Sequence, residues 1–169
     1  NDLIHDEKLI ETAKRTGYKL IYLLHPITSA QLEDYGEVEN VELIQATTVN
    51  YEKILCESSL MVTDYSGVQF DFAYMRKPLV YLHHKDIPQH YEEGTFFYDT
   101  MAFGEIAHDN DELIDLLCEY MASGCKMKEE YVRRADDFFY YKDRENCKRI
   151  YDVMIDYQDK YILKKGTKA

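Results

Sequence analysis

The sequence has 169 residues, 46% hydrophobic and 31% charged, with 20 Lys and Arg against 32 Asp and Glu and a formal net charge of −12. The length predicts one domain able to bury a core without disulfides or metals, and the mixture is that of a folded chain rather than a disordered one. The acidic balance excludes nucleic acid as the main partner and a broad polybasic surface for anionic lipid, and no apolar run approaches the roughly 20 residues of a membrane span.

The opening residues, Asn1 to Asp6, lack the charged-then-apolar layout of a signal peptide and carry no Met, so the chain reads as part of something longer. Lys19 to His25 (KLIYLLH) predicts a buried strand stopped by Pro26. Val41 to Ile44 is a second strand, and Tyr51 to Ser58 a helix with Tyr51, Ile54 and Leu55 on one face. Leu60 to Thr63 is a third strand, Val68 to Met75 a helix ended by Lys77-Pro78, and Leu79 to His83 a fourth strand. Lys85 to Gly104 has no period and predicts a long loop, of a length that is often functional. Glu105 to Ala107 is a last short strand. Asp109 to Asp111 then caps a helix whose apolar face is Leu113, Ile114, Leu116, Leu117 and Tyr120 and which stops at Gly124. Helices follow around Lys128 to Phe138 and Glu145 to Tyr157, and the tail from Lys164 frays. Short, nearly all-apolar strands between helices predict a parallel sheet covered on both faces, a doubly wound α/β domain. The four cysteines (Cys56, Cys118, Cys125 and Cys147) form no CxxC pair and read as reduced thiols serving as small hydrophobes.

The best local signal for chemistry is Thr63-Asp64-Tyr65-Ser66-Gly67-Val68, a strand running through small and polar residues into a helix. Unpaired N–H groups at a helix start, with the helix dipole, favour an anion. Ser66 adds a hydroxyl and Gly67 permits close approach to the backbone. The pattern predicts a phosphate or pyrophosphate cradle; its structural alternative is that Ser66 simply caps a helix.

His25 closes the first strand, and ligands of open α/β sheets bind outside the carboxyl ends of strands. It is therefore a candidate phosphate donor or general acid–base, against a structural His bonded to a carbonyl. His83 and His84, with Asp86 and His90 nearby, invite a metal reading, but adjacent strand residues point to opposite faces, which disfavours it. The acidic and aromatic stretch Tyr91 to Asp99 suits either contact with a polyol, sugar or base, or packing of a loop on the core. Asn146 and Arg149 lie one helical turn apart and can reach a ligand together, or form a charged face in water.

In order along residues 17 to 157, several stretches together resemble one family: Leu23-Leu24-His25-Pro26, Ile54-Leu55 with Ser58, Val62 to Ser66, Phe70-Asp71-Phe72-Ala73-Tyr74, Lys77-Pro78, Phe103-Gly104-Glu105, Arg134 to Phe139, and Asn146-Cys147 with Arg149-Ile150. The sequence is similar to the C-terminal part of the CDP-glycerol glycerophosphotransferases, the teichoic acid glycerophosphate primases and polymerases. The resemblance implies the Rossmann-like, three-layer C-terminal half of a GT-B transferase, here one donor-binding domain over 1–157 with a tail over 158–169, and an acceptor-side domain lying elsewhere.

It further implies that His25 is catalytic, contacting the donor pyrophosphate and helping to expel CMP. Thr63, Asp64, Ser66 and Gly67 would bind the donor phosphates, and Lys77, Glu105, Asn146 and Arg149 become further donor-site candidates. The implied donor is CDP-glycerol or a related CDP-alcohol, and the acceptor a polymer or lipid-linked primer reached through the other domain. No metal or cofactor is implied. The parent is expected in the cytoplasm, peripheral at the inner face of the plasma membrane, making teichoic-acid-like or capsular polymer, and this part alone is expected to bind donor without turnover. Gly67 departs from the family's TDYSS pattern, which has a second Ser there. Two other readings remain: a UDP-sugar GT-B half-domain, and a non-catalytic nucleotide-binding or interaction module.

Overall fold

The structure is a computed structural model and describes residues 3–24, 35–86, 94 and 96–162, residues 46 and 162 by backbone alone. It divides into two compact units, Asn1–Asp136 and Asp137–Ala169. The first carries five strands, β1 (Leu20–Leu24), β2 (Val41–Gln45), β3 (Met61–Thr63), β4 (Leu79–Leu82) and β5 (Gly104–Ala107). Its helices are α1 (Glu7–Thr16), α2 (Tyr51–Glu57), α3 (Val68–Tyr74), α4 (Tyr98–Met101) and α5 (Asn110–Ala122), with most of α6 (Glu129–Phe138). The second carries α7 (Asn146–Tyr157), continued by a π-helical turn over Gln158–Ile162. The packing thus divides inside the span that the sequence predicts to be one domain.

Every ladder among the described residues is parallel, as expected, but the pairing forms two sheets: β1 with β2, and β3-β4-β5 in that order. Parallel neighbours need a crossover; α3 supplies it from β3 to β4. β4 is the centre of the three-stranded sheet, and its Leu79, Val80 and Tyr81 are fully buried. Alternation sends Val80 to one face, where it packs in a cluster with Leu9 and Ala13 of α1 and Leu113, Ile114, Leu117, Tyr120 and Met121 of α5. Tyr81 goes to the other face, against Gln69 of α3. Helices on both faces make this an α/β/α arrangement of the expected class.

α1 is absent from the sequence reading. It starts where the Asp6 carboxylate accepts the Leu9 N–H at 2.8 Å and ends at Gly17, φ 80°, a left-handed cap. The predicted loop over 85–104 also contains α4, a single turn, and β5 starts one residue earlier than expected, at Gly104. The remaining strands and helices fall within about a residue of their predicted bounds, the ordinary uncertainty at element ends. α5 buries Leu113, Ile114, Leu117 and Tyr120 as read, with Leu116 only half-buried, and closes through Gly124 at φ 80°. All four cysteines are free thiols, Cys125 being the buried one.

Gly104 sets the closest backbone approach in the core. A Cβ at this position would lie 1.7 Å from the Leu79 carbonyl oxygen of the register partner in β4. No side chain fits without separating β5 from β4, the central strand of the sheet. Gly104→Ala is expected to cost about 3 kcal/mol or more, read as a drop in the urea midpoint; a variant within about 0.5 kcal/mol of the parent, the range of a neutral surface change, would refute this packing.

Candidate functional site

The carboxyl ends of β3, β4 and β5 define one rim of the sheet: Asp64 to Gly67 after β3, His83 to Asp86 after β4, and His108 and Asp109 after β5. Thr63 is in register with Tyr81, so the turn after β3 and the residues after Leu82 leave the sheet side by side. At the turn, the Asp64 carboxylate accepts the Ser66 N–H at 3.1 Å, an Asx turn that bends the chain into α3. The Ser66 and Gly67 carbonyls accept the Gln69 and Phe70 N–H groups. Ser66 therefore joins the first turn through its backbone, and its hydroxyl makes no side-chain cap. Ser66 and Gly67 are exposed, and among the described residues the Ser66 hydroxyl and the Gly67 and Val68 N–H groups have no hydrogen-bond partner. Gly67 has an ordinary helical φ of −62°, and a Cβ on it would meet nothing within 4 Å.

An aromatic wall stands beside this turn. The Tyr65 ring stacks on His83 at 4.1 Å and 16°, and Tyr98 of α4 meets His83 edge-on at 4.6 Å and Tyr65 at 5.6 Å. The wall is anchored by a buried network: the Phe103 N–H donates to Tyr81 Oη at 3.3 Å, Tyr81 Oη–H to Gln69 Oε1 at 2.8 Å, and Gln69 Nε2 to Tyr98 Oη at 3.2 Å. Burial holds the Tyr81 phenol well above its usual range, so it stays a neutral donor. At the far side of the rim Asp109 caps α5, accepting the Glu112 N–H at 3.0 Å, and pairs with Lys85 at 3.1 Å. The backbone N–H of Glu112 and then Lys85 hold its carboxyl below the ordinary value.

Of the residues singled out from sequence, Thr63, Asp64, Ser66 and Gly67 gather at the rim. His25, with Pro26, His90 and Tyr91 to Glu93, lies outside the described residues. Lys77 and Glu105 are placed elsewhere. Lys77 precedes β4 and so sits at the amino end of the sheet, where Nζ donates to the carbonyls of Leu55, Cys56 and Ser58 at 2.9, 2.6 and 2.8 Å. It satisfies the open carbonyls at the end of α2. Glu105 pairs in register with Val80, toward the same end, and binds Lys128 at 2.6 Å while accepting the Tyr120 hydroxyl at 2.7 Å. Those partners tie β5 to α5 and to the start of α6; burial and Glu105 push the Tyr120 phenol far up.

Asn146 and Arg149 belong to the second unit. They share a face as the spacing predicts: Arg149 Nη1 donates to Asn146 Oδ1 at 2.9 Å, while the guanidinium forks onto Asp143 and lies 3.7 Å from the Tyr141 ring centroid. His83 and His84 diverge as alternation requires. His83 enters the aromatic wall, whereas His84 Nδ1 accepts the Asp86 N–H at 3.3 Å. Sequence reasoning weighs His83 only as a metal ligand; its place at the end of β4, beside the turn after β3, is the signal that puts it at the rim. Among the described residues no three His, Cys, Asp or Glu side chains gather as metal ligands.

The family model described as CDP-glycerol:poly(glycerophosphate) glycerophosphotransferase matches residues 1–156. The chain is 34% identical over 164 residues, 97% of its length, to the minor teichoic acid biosynthesis protein GgaB of Bacillus subtilis (strain 168), of which it covers 18%. It is 29% identical over 69 residues, 40% of its length, to the teichoic acid poly(ribitol-phosphate) polymerase of Bacillus spizizenii, of which it covers 11%. The chain thus spans less than a fifth of the length of these curated relatives. No solved structure matches it.

Two outcomes check this local geometry. Tyr81→Phe leaves Gln69 Oε1 and the Phe103 N–H buried without their partner, and is expected to cost about 1–3 kcal/mol with an unchanged urea slope. Asp143 is held at about 2 by Arg149, ahead of the Glu145 N–H. A depressed carboxyl stabilises the fold above its unfolded value of 3.8 and loses that contribution as pH falls from there through about 2. An NMR titration should therefore place the Asp143 midpoint near 2, and Arg149→Ala should return it toward the ordinary value.

Proposed function

The chain belongs to the CDP-glycerol:poly(glycerophosphate) glycerophosphotransferase family, and we propose that it is the part of such a transferase that holds the CDP-activated donor. The observation that carries this reading is the exposed Ser66-Gly67 turn at the carboxyl end of β3, where the Ser66 hydroxyl and the Gly67 and Val68 N–H groups stand unpartnered among the described residues. A chain with net charge −12 repels an anion in the mean. A local set of neutral donors at a helix start counters this without a metal or a cluster of Lys and Arg. In the proposed mode Ser66 Oγ and the Gly67 and Val68 N–H groups hold the pyrophosphate, and Asp64 keeps the turn in shape through the Ser66 N–H. Thr63, the last residue of β3, sets where the turn leaves the sheet.

His25, the residue that follows β1 in the sequence, is proposed to donate to the pyrophosphate. In the transfer, an acceptor hydroxyl attacks the phosphorus that carries the glycerol; the new P–O bond forms as the bond to CMP breaks, the hydroxyl proton goes to a base, and CMP leaves with the bonding pair. Positioning and charge stabilisation supply the rate in such chemistry. The acceptor is proposed to be a teichoic-acid-like or capsular polymer, or its lipid-linked primer, engaged by parts of the parent beyond this segment. The name of the Bacillus spizizenii relative makes a ribitol donor the second candidate. Among the described residues no helix is long and apolar enough to cross a membrane, and the parent is proposed to act from the cytoplasm at the inner membrane face. Lys77 and Glu105 are not part of this proposal, because their partners lie at the other end of the sheet.

Calorimetric titration with CDP-glycerol, CDP-ribitol, CMP and UDP-glucose tests the reading. A CDP-alcohol should bind, with about a tenfold loss on His25→Ala and a several-fold loss on Ser66→Ala, each the size of one hydrogen bond to a charged group. Preference for UDP-glucose would replace it with a nucleotide-sugar transferase, and undiminished binding in the double variant would move the site elsewhere. The chain alone is expected to show no transfer of glycerol phosphate; turnover by it would overturn the assignment to a donor half.

A further inference from the structure

Among the described residues of the rim, His83 carries an imidazole whose chemistry the proposed cradle leaves unused. Its backbone completes the β4–β5 ladder, the N–H donating to Ala107 O at 2.9 Å, so the residue's position is fixed by the sheet. The ring stacks on Tyr65 at 4.1 Å and meets Tyr98 edge-on at 4.6 Å. The ring lies beside the Asp64 backbone, while Nε2 is buried and, among the described residues, has no hydrogen-bond partner. Buried side-chain polar atoms are nearly always satisfied, and an orphan calls for an explanation.

A neutral imidazole carries its proton on one nitrogen and leaves the other as an acceptor, and the orphan Nε2 is the ring atom left for a ligand. Burial, the largest influence, and nearby His108 lower the imidazole's pKa, which keeps it neutral near pH 7. With the proton on Nδ1, Nε2 is a bare lone pair that repels a phosphate oxygen and suits a ligand O–H. Asp64, whose backbone lies beside the ring, is also the residue whose carboxylate shapes the Ser66 turn. Tyr98, which meets the ring at its edge, comes from α4, a single turn with no buried residue.

We propose that His83 is a recognition residue of the donor site, its Nε2 accepting a hydrogen bond from a hydroxyl of the CDP-activated donor while the adjacent turn holds the phosphates. This rests on the donor-site reading above and adds to it a contact that distinguishes a polyhydroxyl donor from a bare anion. The hydroxyl belongs either to the ribose or to the transferred polyol; the chemistry asked of His83 is the same.

The test uses this chain with CDP-glycerol and CMP as probes, in the parent, His83→Phe and His83→Gln. Phe keeps a ring against Tyr65 but removes the acceptor, and Gln returns a polar atom near the Nε2 position. His83→Phe is expected to weaken CDP-glycerol binding about tenfold, with a Tm unchanged or higher because an unsatisfied buried acceptor is gone, and His83→Gln to recover part of the loss. A purely structural His83 predicts the reverse for Phe, a lower Tm with unaltered affinity, and that result overturns the proposal. Equal losses for CMP and CDP-glycerol assign the hydroxyl to the ribose; a loss for CDP-glycerol alone assigns it to the polyol.

Nitrogen-15 NMR of the imidazole gives a readout independent of affinity. Nε2 should resonate as an unprotonated nitrogen in the free chain and shift when CDP-glycerol is added, and a protonated Nε2 in the free chain at pH 7 also refutes the proposal. If the parent chain binds neither probe, the donor-site reading fails and this inference fails with it. If the parent binds and His83→Phe binds equally well, this inference alone fails.

Discussion

The rim depends on β4 being buried on both faces. A strand with Leu79, Val80 and Tyr81 all shielded from water cannot leave its backbone groups unpaired, so it must have a ladder on each side, and the parallel pairings with β3 and β5 supply them. Those pairings bring the turn after β3 level with the residues after Leu82. The backbone of Leu79 is so close to Gly104 that β5 has no freedom to shift. The segments that leave the strands are thereby held in fixed relation: the Asx turn at Asp64, the His83 ring and the cap of α5 at Asp109.

Tyr81 carries that constraint from the core to the surface. Its hydroxyl is the junction between α3, through Gln69, and the Phe103 backbone just before β5, and Gln69 passes the connection to Tyr98. Buried polar networks hold one geometry when every member is satisfied, and this one places Tyr98 against His83. The core below the rim is thus not purely apolar. Polar satisfaction of about a few kcal/mol, the order expected of several net hydrogen bonds, orients the aromatic wall, while the hydrophobic cluster of α1 and α5 on the opposite face provides bulk stability.

Much of this is legible in the sequence. Short apolar runs bounded by Pro, Gly and polar residues locate every strand, and cap residues such as Asp109 locate α5. α1 escapes because its apolar face is narrow: Leu9, Ala13 and the polar Thr12 are its buried residues. Its start and stop signals, Asp6 and Gly17, sit on a segment rich in Lys and Glu that reads as surface. The site is half legible. The Thr63 to Gly67 turn follows a strand, so the carboxyl-end rule for α/β sheets applies to it directly. Lys77 precedes its strand, and Glu105 is the second residue of its own, which the same rule puts at the opposite end; grouping them by motif rather than by strand end loses that distinction. Their partners, the α2 carbonyls and Lys128, are far apart in sequence and no local pattern announces them. His83 escapes for the converse reason, since a pair of histidines suggests metal before it suggests an imidazole stacked on a tyrosine.

The departure at Gly67 bears on how the turn acts. Its φ is one that any residue adopts, and the space around it is open. The fold therefore does not demand glycine there, and the second Ser of the TDYSS pattern would fit without strain. Glycine changes only what faces the solvent: it removes a hydroxyl and clears the approach to the Gly67 and Val68 N–H groups. In the proposed donor site, anion recognition at this turn would shift from side-chain hydroxyls toward backbone donors, which are fixed in direction by the Asx turn and need no rotamer ordered on binding. In a strongly acidic chain that is a physically economical solution. Donors locked in place lose little entropy when they close on a phosphate, so a cradle of one hydroxyl and two amides can hold an anion that the net charge would otherwise turn away.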